Sequence, residues 1–195
     1  MKKRVFFMAI AAVMAVSVTG CGIVKVVPIG EEAAYSGEEV FDSAAESSSD
    51  WEQVAAEITD EAADLAEVLD GDGVGTAAAV SGTAKIVEFN TDTPKYYLLI
   101  EPEGYTGDAE IRIQAGGVYS GTALRDVQTV KNFESFTNQT EWSQYGKALN
   151  SEVDTQVVAP LALDDSVAGK TVTFAGAATE SAGTVTITPV SLTIE

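Results

Sequence analysis

Residues 111–150 read IRIQAGGVYSGTALRDVQTVKNFESFTNQTEWSQYGKALN, a strand followed by a glycine loop and two helical segments. Ile111, Ile113 and Ala115 alternate with Arg112 and Gln114, the period of a half-exposed strand. Gly116 and Gly117 break that strand, and Gly121 closes the loop that follows. Residues 122–130 can form a short helix. Phe133 and Phe136 read as core anchors in an irregular segment. Asn138 then stands three residues before Glu141, the spacing of a capping box. It opens a helix whose apolar stripe is Trp142, Tyr145, Leu149 and Val153.

Strands flank this stretch on both sides. Residues 80–90 (VSGTAKIVEFN) and 96–101 (YYLLIE) precede it, joined by the turn Thr91-Asp92-Thr93-Pro94. Residues 170–177 (KTVTFAGA) and 184–188 (TVTIT) follow as a hairpin around 179–183. In that hairpin Val172 and Phe174 are expected to face Val185 and Ile187. Pro189 lacks an N–H, so the last strand is expected to kink there or to lie on an edge. Three strands, a helical insertion and two strands is the order of the OB-fold, a small Greek-key barrel. The predicted class is α+β, mostly β. It is an OB-fold-like five-stranded barrel over residues 79–195, with a helical insertion between the third and fourth strands, preceded by an N-terminal helix. A generic α+β sandwich would give the same order.

The N-terminal helix is predicted over residues 50–70. Ser49 can cap it, with Glu52 three residues on. Trp51, Val54, Ala55, Ile58, Ala62, Leu65 and Leu69 recur at helical spacing, and Gly71 suits the stop. Its other face is almost entirely acidic, and pairs such as Glu57–Glu61 and Asp60–Asp64 repel. Such a helix is marginal alone and holds only when docked through Trp51, Ile58 and Leu65. Screening by salt should increase its order. Asp70-Gly71-Asp72-Gly73 begins like a calcium loop. Val74 and Ser81 stand where further oxygen ligands belong, so a helix-ending turn fits better.

The start of the chain reads as a lipoprotein leader, residues 1–20. Lys2, Lys3 and Arg4 precede an apolar run too short to span a bilayer. The run ends in Val18-Thr19-Gly20-Cys21, a lipobox. Cys21 is the single cysteine of the chain. Its thiol can take a diacylglycerol and its freed amine a further acyl chain such as palmitate. Several acyl chains hold a protein stably at a membrane. Residues 21–49 then read as the lipidated Cys and an acidic, serine-rich tether. Residues 50–195 form one globular domain.

Composition narrows the chemistry. The chain has no histidine, and its net charge is −19. Histidine triads and histidine-ligated zinc are therefore excluded. An acidic surface repels nucleic acid, whose binding requires neutralised phosphates. The loop from Gly116 to Gly121 has phosphate-loop spacing, but Thr122 stands where such a loop needs lysine. No pattern calls for a metal or cofactor.

Gly121-Thr122-Ala123-Leu124-Arg125-Asp126, then Phe133 and Phe136, Asn138-Gln139 and a helix ending Ala148-Leu149-Asn150 resemble an uncharacterised bacterial family of predicted periplasmic lipoproteins. Gly117 stands where that family's pattern has a proline. The resemblance implies a lipid-anchored extracytoplasmic domain with no assigned activity. Its relatives are often encoded beside sugar-type ABC uptake systems. A protein partner in a membrane transport complex is thus expected, beside the membrane lipid held through Cys21.

The candidate binding residues are Gln114, Gly117, Gly121, Thr122, Arg125, Asp126, Asn138 and Gln139. Arg125 offers a planar fork for carboxylate or phosphate. The others add polar groups near glycine backbone. Together they are the kit of a ligand cleft around Gln114, Arg125 and Asn138. They equally suit a structural knot, in which Arg125 pairs with a carboxylate and ties the insertion to the barrel while Asn138 only caps. Three functions stay open: a non-enzymatic accessory or scaffold lipoprotein, which is the expected one, a small-ligand receptor, and a hydrolase pairing Asp126 with Glu134 or Glu141. No spacing supports the third.

Overall fold

A computed structural model describes residues 41–195. The leader, the lipobox and residues 22–40 of the expected tether lie outside the described residues. Helix α1 (Ser43–Asp60) starts within the stretch read as tether. Asp42, and not Ser49, caps it, accepting from the N–H groups of Ala44 and Ala45 at 3.1 and 3.0 Å. Ser47 is fully buried and donates to the carbonyl of Ala44. Glu46 and Asp50 reach Lys131, 85 residues along the chain in the case of Glu46. Long-range contacts of this kind turn a locally weak segment into helix.

The predicted single helix over 50–70 is also corrected at its other end. Helix α1 stops at Asp60, where Glu57, Asp60 and Glu61 crowd the negative end of its dipole. A two-residue strand, β1 (Ala63–Asp64), then runs parallel to the start of the barrel. Asp64 caps a second short helix, α2 (Leu65–Asp70), through the N–H groups of Ala66 and Glu67.

The barrel strands are β2 (Ala78–Asn90), β3 (Lys95–Pro102), β4 (Glu110–Gly117), β5 (Thr171–Ser181) and β6 (Thr184–Ile194). They run in the order β2-β3-β4-β6-β5, and β2 pairs again with β5, which closes the ring. All pairings in the ring are antiparallel except β4 with β6. Each of the five strands is thereby paired on both sides over part of its length, which shortens the edges that could template aggregation. This is the expected OB-fold barrel.

Alternation along the strands puts Val80, Ala84, Ile86, Leu98, Ile113, Val172, Ala178, Val185 and Ile187 inside, each with no exposed surface. Burying one aliphatic side chain of this size contributes ~1.5–3 kcal/mol.

The insertion carries α3 (Ala123–Val127), a 3-10 turn (Phe133–Ser135) and α4 (Gln139–Glu152). Helix α4 buries Tyr145 and Leu149 and continues into a π-helical stretch (Val153–Val158). Phe133 is corrected: it is 46% exposed and sits edge-on to Trp142, because the 3-10 turn points it outward. Helix α1 packs against α4 and buries Trp51, Val54 and Ile58. No helix among the described residues is long and apolar enough to cross a membrane.

The closing hairpin differs from its predicted register. Its turn is Ala182-Gly183 alone, with φ of 51° and 78°, the left-handed geometry of a tight hairpin. The strands are correspondingly longer, so Val172 pairs with Ile194 and Phe174 with Leu192. Pro189 lies beyond Ile187, the last residue at which β6 pairs with β4, so its missing N–H breaks no bond on that side. On the other side it meets Gly176 at a bulge, where any Cβ would collide with the backbone of Thr188 and Pro189.

Candidate functional site

The structure gives the candidate residues separate partners. Gln114 points outward from β4 but is only 6% exposed, because the 117–121 loop folds over it. Its amide nitrogen donates to the Ser120 carbonyl at 3.1 Å and to Thr188 Oγ1 at 2.7 Å. Its amide oxygen accepts from the Ser120 N–H at 2.7 Å. Gly117 has φ of 67°, and a Cβ there would collide with the Pro94 carbonyl. The Val118 N–H donates to that same carbonyl at 2.7 Å. Gly121 has φ of 79°, and its carbonyl accepts from Asn150 at 3.0 Å. Both glycines hold a loop that an L side chain would strain.

Arg125 closes a ring with its own neighbours. Its Nε and Nη2 donate to Asp126 Oδ1 at 2.9 and 2.6 Å, and Nη2 also donates to Thr122 Oγ1 at 3.1 Å. Thr122 in turn donates to Asp126 Oδ2 at 2.6 Å. The guanidinium lies 4.8 Å from the Trp142 ring centroid, and Gly146 makes room for its stem. The group therefore ties α3 to α4, where a tie to the barrel was one expectation.

Asn138 caps α4, accepting from Thr140 and Glu141 N–H at 2.9 and 3.0 Å. Glu141 accepts from the Thr137 N–H at 2.8 Å. Gln139 is exposed in the first turn of the helix. Asn138 and Asn150 stand twelve residues apart on α4, ~18 Å at 1.5 Å per residue. Gln114 and Gly121 belong to the Asn150 end, so the expected cleft joining Gln114, Arg125 and Asn138 does not assemble.

A second polar cluster was not singled out from the sequence. Lys131 donates to Glu46 and to Asp50, the latter at 2.9 Å. Tyr145 donates to Asp50 Oδ2 at 3.0 Å. Burial alone would lower the Lys131 pKa, but the hydrogen bonds to Glu46 and Asp50 raise it above the usual lysine value. Burial first, then Asp50, raises the Tyr145 phenol well above its ordinary range. Glu57 adds a tie from α1 by accepting from the N–H and hydroxyl of Thr129 at 2.7 and 2.6 Å.

A furrow opens beside the glycine corner. One hollow of about 440 Å³ is walled by Phe89, Tyr96, Gly116, Val158 and Leu163. A neighbouring hollow of about 370 Å³ is walled by Tyr119, Lys147, Asn150 and Thr155. Gly117 and Asp154 line both. Of the candidate residues, Gly117 alone borders this furrow. Tyr119 donates to Asp154 Oδ1 at 3.2 Å. Burial, then the Asp154 carboxylate, raises the Tyr119 phenol pKa strongly, so it stays a donor. Asn150, 6% exposed, donates to Gly121 while its Oδ1 has no hydrogen-bond partner. Asp154 escaped the sequence reading because the apolar stripe was followed and not the polar face beside it, where Asn150 and Asp154 stand one turn apart.

The comparisons with known proteins agree with this architecture. No curated protein matches the chain. An OB-fold protein from Thermotoga maritima, known from its crystal structure, is similar with a TM-score of 0.59 at 17% identity, covering 80% of this chain and 100% of that one. At that identity the likeness shows the fold. The model of the family DUF2291, described as "Predicted periplasmic lipoprotein", matches residues 70–193, which span the barrel and its insertion. The chain belongs to this family of predicted periplasmic lipoproteins.

Proposed function

We propose that this protein is a lipid-anchored extracytoplasmic lipoprotein whose barrel serves as a binding or scaffold element and not as a catalyst. Membership in a family of predicted periplasmic lipoproteins carries the reading. It is supported by the leader and by a single cysteine placed at the end of the lipobox. Acylation at Cys21 holds the domain at the membrane surface, where the negative charge of the chain gives no electrostatic help. The partner is a membrane transport complex of the sugar-uptake ABC type. The carboxylates named for hydrolysis have other duties: Asp126 is held by Arg125 and Thr122, and Glu141 by the N–H of Thr137.

The test is metabolic labelling with palmitate, wild type beside Cys21→Ser, with in-cell crosslinking of each. Label and membrane retention in the wild type, both lost in the variant, together with a crosslink to a transporter subunit, are expected. An unlabelled wild type would overturn the anchor. A labelled protein without a transporter crosslink would overturn the partner.

A further inference from the structure

We propose that the furrow beside Gly116 and Gly117 binds a small organic monocation: an ammonium group on an apolar body, seated against Asp154 and Tyr96. This goes beyond the lipoprotein reading and does not depend on the anchor.

The argument begins with the missing side chain at Gly116. A Cβ there would lie 3.5 Å from Tyr96 Cδ2, 3.8 Å from Asp154 Oδ1 and 4.0 Å from Val158 Cγ1. An aromatic ring, a carboxylate and an aliphatic wall thus converge on one hollow. Phe89 extends the aromatic side, edge-to-face with Tyr96 at 6.3 Å between centroids. Tyr96 remains 36% exposed, a large apolar surface left open at the mouth. The carboxylate faces the hollow from a π-helical stretch, an irregularity frequent at functional sites. The opposite wall includes Ala162, held at φ of 45°. A left-handed non-glycine residue persists only where its surroundings impose it.

The hydrogen-bond inventory selects the charge of the ligand. In the neighbouring hollow the hydroxyls already donate within the protein, Tyr119 to Asp154, Ser151 to the Lys147 carbonyl and Thr155 to the Ser151 carbonyl, while the Tyr96 side carries the hydroxyls of Thr91 and Tyr96 beside the carboxylate. What stays open on the Tyr96 side is acceptor capacity at Asp154, whose Oδ2 has no donor among the described residues. A ligand rich in donors complements that surplus, and a carboxylate or phosphate does not. The whole-chain charge of −19 likewise concentrates cations at the surface and repels anions. Lys147, seven residues before Asp154, lines only the neighbouring hollow, so the cation sits on the Tyr96 side. There the aromatic faces add cation–π attraction. A sugar is the poorer fit, since it needs several converging polar side chains where this hollow has one carboxylate and mostly apolar walls.

The test uses the full chain in detergent micelles, with benzylammonium as probe and benzyl alcohol and benzoate as its uncharged and anionic counterparts. Binding is read by saturation-transfer NMR and calorimetry. Benzylammonium should bind, with both counterparts at least about tenfold weaker, and Asp154→Asn should lose about tenfold in affinity. Asn can still accept from Tyr119, so the variant should melt close to wild type. Ala159→Trp, at an exposed position of the wall, should block the hollow and abolish binding. Equal binding of benzyl alcohol, undiminished binding by a folded Asp154→Asn, or no binding of benzylammonium at millimolar concentration would overturn the proposal. The lipid anchor is read separately by palmitate labelling, so failure of either idea leaves the other standing.

Discussion

Two polar clusters tie the insertion to the rest of the molecule, and they are built on opposite principles. At the barrel wall Gln114 satisfies the N–H and carbonyl of Ser120 and the hydroxyl of Thr188, all without a formal charge and with almost no solvent access. At the α1 interface Lys131 is shared by Glu46 and Asp50, with 23%, 44% and 14% of their side chains exposed respectively. The neutral knot is costly to break because each abandoned group remains buried without water. The charged clasp is cheaper to break because water can replace much of what is lost. One cluster fixes a loop, and the other docks helix α1.

Gln114→Met, which preserves size and removes every hydrogen bond, is the sharpest way to break the knot. It should lower stability by about 3 kcal/mol, seen as a lower urea midpoint, since several buried groups are stranded at once. A loss below about 1 kcal/mol would mean that the loop re-forms its bonds elsewhere.

Lys131→Met should cost about 1 kcal/mol at low salt, discounted for the exposure of Glu46. That cost should shrink in 1 M NaCl while the Gln114→Met cost stays constant. Equal salt sensitivity of the two variants would erase the contrast between the clusters.

The pH response separates the clusters by smaller effects. Lys131 and Tyr145 both have folded pKa values raised above their unfolded ones. The unfolded chain then releases protons first as pH rises, so their stabilising contribution is complete below about pH 10 and is lost above it. Tyr119 acts in the same direction from the furrow. The melting temperature should therefore fall above pH 10 and stay nearly flat from pH 6 to 9, where the absence of histidine removes the usual titration. Tyr145→Phe should make the alkaline fall shallower, and Gln114→Met should leave its slope unchanged.

The smallest effect is a control far from both clusters. Ala182→Asn suits the left-handed turn position and should stabilise by about 0.5 kcal/mol. That gain should add to either cluster variant without coupling.

Much of the barrel was legible because strand alternation and turn residues are local signals. Ile111, Ile113 and Ala115 face inward as their period requires. The hairpin register was misread because Ala182 gives no turn signal, although with Gly183 it makes the whole turn. The helix start was misread because serines 43 and 47–49 are weak helix formers, and only Lys131 and the buried position of Ser47 reward their order. The candidate residues were chosen by chemical type, and the structure ties most of them to near neighbours while leaving Gln139 exposed. Asp154 and Tyr96, which no spacing connected, are brought together across Gly116.

The acidic character, the absence of histidine chemistry and the strand–helix–strand order of an OB-fold are all legible in the sequence. These rest on composition and on periodicities that span only a few residues. Packing between distant segments sets where α1 begins, ties Gln114 and Arg125 to their neighbours, and brings a carboxylate and an aromatic ring to one hollow. Such outcomes depend on contacts between residues distant along the chain, such as Lys131 with Glu46 or Gln114 with Thr188, and no local pattern encodes which distant partner a side chain meets.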